Sequence, residues 1–484
     1  MYDVCIIGAG VVGMNIAREL AKYELAVCVL DKGEDVSSGC SKANSGIVHG
    51  GYSDEPGTLK AELCVKGNRM YEELNRELSF GYRKTGSFVL AFSGEDRSKL
   101  DELYQQGKAN GVAGLALMDG DEVRQLEPYV SKQAVGALYC ENAGVTSPYE
   151  FVIALAENAV ENGVKLRLKT EVLGIAKQEG HFILTTAAGT VAARYVVNSA
   201  GIHSDEVARM VGITDYRIVP RRGQYVVLDK DQNYLVKSVI FQVPTKLGKG
   251  ILVTTTYHGN LMIGPNAEEI GDKDDVGTDE KALEYIVNTA GLSIPDFDMR
   301  KALTSFSGNR PIANSSDFII EESRVKQFIN LIGIDSPGLT SSPAIALKVV
   351  DILRQAGLDL ARKTHFQPCR RPIVQKKTDN FAGSTESPDP ATRIICRCEK
   401  VTEAEIIDSL RRGIPVTSVN AVNRRTRSGM GSCQGAFCGP RVRQIVAREL
   451  NLPLEEVAQT AKIPSQLFLR VKRGELTRLK RPNS

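Results

Sequence analysis

Residues 2–13, YDVCIIGAGVVG, decide how the rest of the chain reads. An apolar run ending in glycine has the pattern of a strand buried on both faces, as in a parallel sheet. A helical stretch, Val11–Tyr23, follows, then a second apolar run, Leu25–Leu30, closing on Asp31. Gly8, Gly10 and Gly13 form G-x-G-x-x-G between the first strand and the helix. Taken alone, that spacing fits any tight turn. In the order strand, glycine turn, helix, strand, acid it describes a dinucleotide cradle. The first glycine makes the turn, the second admits a pyrophosphate, and the third lets helix and strand pack closely. The diphosphate would lie at the helix N-terminus, where unpaired N–H groups favour negative charge. Asp31 can accept from ribose hydroxyls and disfavours a 2′-phosphate, and Lys32 beside it joins the same contact set.

Working outward, the chain has 484 residues, which suggests about three domains. Hydrophobic residues make up 42% and charged residues 25%, as in a globular protein with a sizeable core. No apolar run approaches the ~18 residues of a membrane-spanning helix. Asp3 is the first charge and no basic segment precedes the apolar start, so a signal peptide is not expected. Ten cysteines are too sparse for a disulfide scaffold, and four fall within residues 396–438, which points to a reducing compartment and a metal site. The expected location is cytoplasmic, with peripheral membrane contact through partners left open. Residues 393–484 hold 18 Lys or Arg against 8 Asp or Glu, and the rest 43 against 50. The basic end is suited to something anionic, or is simply a solvated basic surface. No aromatic residues interleave the arginines, so no nucleic-acid platform is expected.

A helix-like segment covers Lys60–Leu78, and short strands fill 165–201, ending in YVVNSAG. Residues 216–320 are mostly strand-like. FINLIGIDSPG (328–338) is another strand-to-glycine turn, leading into a helix at Ala344–Arg354. QKKTDNFAGSTESPDPAT (375–392) reads as part of an exposed linker.

The segment SSGCSKANSGIVHGGYSDEPGTLKAELCVKGN (37–68) is dense in small polar residues that let a backbone lie against a flat ring. It closely resembles a segment shared by FAD-dependent glycerol-3-phosphate dehydrogenases of the anaerobic large-subunit type, the related oxidases and L-2-hydroxyglutarate oxidases. These are flavoproteins of the D-amino-acid-oxidase-like superfamily. The resemblance implies that Ser41, Asn44, Ser45 and Gly46 contact flavin and that His49 faces the substrate. It also implies that later turns return to the same cofactor, through Val172, Ala200, Gly201, Gly333, Ser336, Gly338, Leu339 and Thr340. An imidazole that titrates near neutrality suits His49 to take a hydroxyl proton during hydride removal from a secondary alcohol. His203 and His258 are rivals, each better explained as serving a turn. Lys249 (PTKLGKGILV) and Arg310 (SGNRPI) resemble the pair that grips the substrate anion in the glycerol-3-phosphate enzymes. The alternatives are a solvated hairpin lysine and a structural ion pair.

Near the C-terminus, C-R-C (Cys396, Cys398) and, after 34 residues, C-Q-G-A-F-C (Cys433, Cys438) offer four thiolates for a 2Fe–2S cluster or Zn²⁺. The spacing departs from zinc patterns and argues for iron. ICRCEKVTEAEI and RRTRSGMGSCQGAFCGPRV closely resemble the bacterioferritin-associated-ferredoxin-like domain fused to that large subunit. Arg424, Arg425 and Arg427 would then offset the charge of the cluster.

The expected architecture is a mixture of α/β and α+β. A discontinuous Rossmann-like FAD-binding domain (about 1–80, 145–215 and 325–360) carries a strand-rich substrate cap (81–144 and 216–324), together spanning 1–367. A linker (368–392), a 2Fe–2S domain (393–450) and a basic tail (451–484) follow. The expected activity is oxidation of sn-glycerol 3-phosphate to dihydroxyacetone phosphate through FAD and the cluster. The partner is an electron-acceptor subunit, either an NAD-linked flavoprotein or quinone-linked. The alternatives are an L-2-hydroxyglutarate dehydrogenase or oxidase, and a non-catalytic electron-transfer subunit.

Overall fold

In Tyr2–Ile7 the last four side chains are buried, leaving no solvent-facing alternation. This strand pairs in parallel with Val27–Leu30 on one side and with the end of Gly189–Asn198 on the other. Lys165–Arg167 extends the sheet beyond Val27–Leu30, and Phe328–Ile332 extends it beyond Gly189–Asn198. The computed structural model describes residues 1–244, 250–378 and 380–459. Helices Val11–Leu20, Leu59–Leu78, Pro148–Glu161 and Gly338–Gln355 pack on one face around Met14, Tyr71, Phe151 and Ile345. Gly189–Asn198 does two jobs. Its first half is antiparallel to His181–Thr186, while its second half is the parallel neighbour of the N-terminal strand.

A second, nine-stranded sheet carries the cap. Its longest pair, Ile218–Leu228 against Ala302–Ala313, is antiparallel and sets Tyr225 opposite Phe306 and Arg221 opposite Arg310. Helix Glu280–Ser293 covers the far face, burying Leu283, Ile286 and Val287.

Three boundaries differ from the sequence expectation. Ile319–Glu322 falls inside the expected cap range but is an edge strand of the dinucleotide sheet, antiparallel to Phe328–Ile332. Tyr82–Lys84 and Gly144–Thr146 belong to a small three-stranded sheet with Ile47–Val48, beneath the cavity rather than in the cap. The C-terminal module also runs past 450, because Val457 is fully buried in its core with Val442, Ile445 and Val446. That module is a hairpin, Ile394–Cys396 with Val401–Thr402, followed by helices Glu403–Leu410, Val419–Thr426 and Gly439–Leu450. Thr402 and Glu405 cap the first of these reciprocally, each accepting the other's backbone N–H. The segment before the module is docked rather than free: Arg370 pairs with buried Glu157 at 2.6 Å, and Lys377 pairs with Glu405. No helix among the described residues is long and apolar enough to cross a membrane. The far C-terminal part of the basic tail, from residue 460, lies outside the described residues.

Candidate functional site

One continuous cavity of about 2880 Å³ runs from the glycine turn of the first strand, under the cap sheet, to the wall of the C-terminal module. At its nucleotide end the chain itself requires two of the three glycines. A Cβ on Gly8, whose φ is +107°, would lie 2.5 Å from Ser199 O, and one on Gly13 would lie 2.0 Å from Gly8 O. Gly10 differs: its Cβ would meet only Ser41 Oγ, at 3.1 Å, and the residue opens on the cavity. Asp31 accepts from Ala9 N and Gly33 N, each at 2.7 Å. Burial pushes its carboxyl above the ordinary value, and those two N–H groups oppose the rise. Lys32 reaches His203 Nε2 at 3.0 Å, and His203 also meets Glu206 and Asp274 at the rim.

Of the residues expected at the cofactor, Gly8, Gly10, Asp31, Lys32, Ser41, Asn44, Ser45, Val172, Ala200, Gly201, Ser336, Gly338 and Leu339 line this cavity. Gly13, Gly46, Gly333 and Thr340 stand just behind that lining. Gly46 has φ +66° and would drive a Cβ into Thr146 O, and Gly333, at φ +70°, would meet Ala313 Cβ. Thr340 acts from behind as well, accepting the His49 N–H at 2.9 Å and donating to Ile47 O. These four shape the wall.

His49 and Arg310 face the same cavity. The His49 backbone is held at both ends, by Thr340 and by Asn68 Nδ2 on its carbonyl at 2.9 Å. Its ring lies nearly parallel to Phe241, centroids 5.9 Å apart. Arg310 donates to the carbonyls of Asn266 (2.6 Å), Arg221 (3.3 Å) and Arg222 (3.5 Å). Among the described residues its Nη1 has no partner and no carboxylate pairs with it, so it is not the structural ion pair that the sequence left as an alternative. Arg221 and Arg222 are paired instead, with Glu269 and with Glu268 and Asp275. Lys249 lies outside the described residues. Sequence reading missed the apolar wall on the cap: Tyr225 stacks on Phe306 at 4.6 Å and 10°, and burial pushes the Tyr225 hydroxyl up to about 12. His258 is bound to Glu150 at 2.7 Å, and burial lowers its proton affinity against that carboxylate's pull.

The four C-terminal cysteines form two thiol pairs. Cys396 and Cys438, each 1% exposed, lie beside one another, and Cys398 and Cys433 make an outer pair nearer solvent. Cys438 beside it, with the N–H groups of Gly429, Glu399 and Cys398, draws the Cys396 thiol below its ordinary value. N–H groups of Phe437 and Gly435 lower that of Cys433. Among the described residues no three Cys, His, Asp or Glu side chains close round a single ion. Two pairs with backbone N–H donors at the sulfurs suit two irons with two thiolates each better than one tetrahedral zinc.

Arg424, Arg425 and Arg427 are not free to offset cluster charge, contrary to expectation. Asp35, 1% exposed and four residues past Asp31, accepts from Arg424 at 2.6 Å and from both Arg425 nitrogens at 2.7 and 2.8 Å. Burial alone would raise the Asp35 carboxyl, but the two guanidinium groups outweigh it and hold it below its ordinary value. Arg427 joins Glu399 (3.2 Å), Tyr149 Oη (3.0 Å) and Asn260 Oδ1 (3.2 Å), and Lys230 of the cap reaches Glu399 at 2.8 Å. Dinucleotide domain, cap and cysteine module therefore meet at one charged junction.

Residues 3–352 match the family of FAD dependent oxidoreductases, and residues 394–448 match the BFD-like [2Fe-2S] binding domain. The chain belongs to this family of FAD-dependent oxidoreductases and carries a C-terminal 2Fe–2S domain. It is similar, at 46% identity, to a glycerol 3-phosphate dehydrogenase of Caloramator mitchellensis, over 94% of this chain and 96% of that protein. The structure of dithionite-reduced, FAD-bound L-α-glycerophosphate oxidase from Mycoplasma pneumoniae aligns with a TM-score of 0.73 and 31% identity. That match covers 76% of this chain and 98% of the oxidase. Human mitochondrial L-2-hydroxyglutarate dehydrogenase is 32% identical over 55% of this chain and 61% of that protein.

Proposed function

We propose that the chain oxidises the secondary hydroxyl of sn-glycerol 3-phosphate to dihydroxyacetone phosphate and hands the electrons to a separate acceptor subunit, NAD-linked or quinone-linked. The observation that carries this reading is Arg310: three backbone carbonyls fix its guanidinium in the cavity that His49 lines, and no carboxylate of the described residues neutralises it. A fixed guanidinium fork matches a phosphate or carboxylate bidentately, and phosphate is the anion that the 46% identical relative's substrate carries. Lys249 is proposed as the second cation on the same anion.

Bound FAD supplies a hydride acceptor, and the cluster supplies a one-electron exit. The glycine turn and Asp31 hold the nucleotide, with the N-terminus of Gly338–Gln355 at the cavity wall. His49 takes the substrate hydroxyl proton at an imidazole nitrogen, its backbone fixed by Thr340 and Asn68. Arg310 orients the anion, and Tyr225, Phe306 and Phe241 give the substrate end an apolar, water-poor lining.

The test is anaerobic flavin bleaching. Glycerol 3-phosphate should bleach the flavin fast, and free glycerol hardly at all, because it lacks the anion whose binding orients the reacting carbon. Rapid bleaching by L-2-hydroxyglutarate with none by glycerol 3-phosphate would replace this substrate with the hydroxy acid. His49→Ala should slow bleaching about 10²-fold or more with flavin retained. Arg310→Leu should raise KM for glycerol 3-phosphate about 10²-fold, the scale of losing one partner of a desolvated ion pair.

A further inference from the structure

The cysteine module holds its cations in two settings. Many of its arginines are matched: Arg393 and Arg448 share Glu403, Arg412 holds Asp408, Arg424 and Arg425 share Asp35, and Arg427 holds Glu399. Three cations close in sequence to the thiols are not. Arg397, between Cys396 and Cys398, Lys400 in the same hairpin turn, and Arg441, three residues past Cys438, have no carboxylate partner among the described residues. Arg397 and Lys400 are exposed, and Arg441 is half-buried. Arg397 and Arg441 both stack on Phe437, 4.0 and 4.5 Å from its centroid. Stacking fixes both guanidinium planes and leaves their N–H edges available to acceptors.

The two thiol pairs differ in exposure. Gly429, whose N–H points at inner Cys396, lines the flavin cavity with Met430, and Gln434 beside outer Cys433 reaches it too. The outer pair, Cys398 and Cys433, is the more exposed, and Arg397 and Arg441 meet on Phe437, whose N–H points at Cys433. If the cations served only to neutralise the thiolates, they would be as useful on the inner pair, yet the cations nearest that side are already committed to Asp35 and Glu399.

We infer that this outer edge is the docking surface for an acidic, one-electron redox protein, whose carboxylates meet Arg397, Arg441 and Lys400 around a half-buried Phe437. The inference deepens the proposed function, since it rests on electrons leaving by the cluster. One alcohol gives up two electrons and two protons. Two one-electron transfers across this edge are therefore needed per substrate, and the protons pass to solvent.

The probes are rubredoxin, an acidic one-electron protein, and cytochrome c, a basic one, each with the full-length holoenzyme. The parent should bind oxidised rubredoxin by titration calorimetry and reduce it at a rate that falls as salt is raised. An Arg397→Glu/Arg441→Glu double variant should slow rubredoxin reduction about tenfold or more, weaken binding and speed cytochrome c reduction. Substrate bleaching of flavin and the cluster's EPR signal should stay as in the parent. If that variant loses its cluster, Lys400→Glu tests the same face away from Phe437. Unchanged rubredoxin binding and salt dependence in a cluster-loaded variant would overturn the inference. So would Arg397-dependent sedimentation with phosphatidylserine vesicles without rubredoxin binding, which would make the face a membrane contact. Flavin that bleaches while no cluster EPR signal develops would instead overturn the relay reading, leaving the two failures distinct.

Discussion

The nucleotide end of the cavity and the junction with the cysteine module solve the same task, holding something anionic beside a parallel sheet, by opposite means. The first is steric. Gly8 and Gly13 exclude any side chain, and the backbone N–H groups of Ala9 and Gly33 hold the Asp31 carboxylate. The second is electrostatic, a carboxylate with two guanidinium groups and almost no access to water. Backbone sites tolerate no added atom, whereas charge sites tolerate no missing partner. The two ends should therefore fail differently.

The largest effect should come from Asp35→Asn. It leaves Arg424 and Arg425 buried without a matching charge, a loss of about 3–5 kcal/mol for a broken buried pair. The flavin should stay bound. The visible result should be faster proteolytic cleavage around 368–392, and a variant as protease-resistant as the parent would show the ion pair to be dispensable for docking.

Gly13→Ala should come next, since its Cβ would stand 2.0 Å from Gly8 O. Overpacking against backbone costs about 1–3 kcal/mol. Purified protein should show a lower melting temperature and little flavin, while iron content is kept.

Gly10→Ala sharpens the contrast. Its Cβ meets only Ser41 Oγ, so the melting temperature of flavin-free protein should change by less than that of Gly13→Ala, while flavin affinity falls because the methyl points into the cavity. Equal melting-temperature losses in the two variants would break the distinction between a packing glycine and a ligand-facing one.

The smallest effect is with pH. The Asp35 carboxyl is held below its ordinary value, so its contribution is complete above about pH 4 and fades only as the pH falls through its lowered folded-state value. Docking, read by cleavage at the linker, should therefore be flat from pH 5 to pH 8. A loss beginning near neutrality would point to another group, with His258 against Glu150 the first to test.

What was legible in the sequence follows the same division. Backbone requirements leave glycines at fixed spacing, and cluster ligands leave cysteines in pairs, so the cradle and the thiol site could be read from short stretches. Asp35 and Arg425 are 390 positions apart, and nothing local distinguishes either from a solvated charge. For that reason Arg424, Arg425 and Arg427 read as neighbours of the cysteines, when folding hands them to Asp35 and Glu399. The cap's aromatic wall was hidden for a related reason. Tyr225 and Phe306 are 81 positions apart in sequence and meet only through the register of the longest strand pair. Gly46 and Gly333 were found as special, but their packing reason was hidden, because the Thr146 carbonyl and the Ala313 side chain that a Cβ would strike lie far away in sequence.

The loop after the second strand carries Asp31 on its nucleotide side and Asp35 on its module side, four residues apart. This bears on how such a chain could have arisen by gene fusion. An ancestral flavoprotein with Asp35 in solvent lost nothing by having it, since a lone surface carboxylate is nearly neutral to stability. A cysteine module arriving with two adjacent arginines on one helix would find a ready anchor, set in register by the loop that already fixed the nucleotide. Once the anchor is buried, the merger is hard to reverse. Deleting the module would return Asp35 to water harmlessly, whereas deleting Asp35 first would strand two buried cations. Lineages of such a fused chain should therefore lose the whole module more readily than they lose this single aspartate.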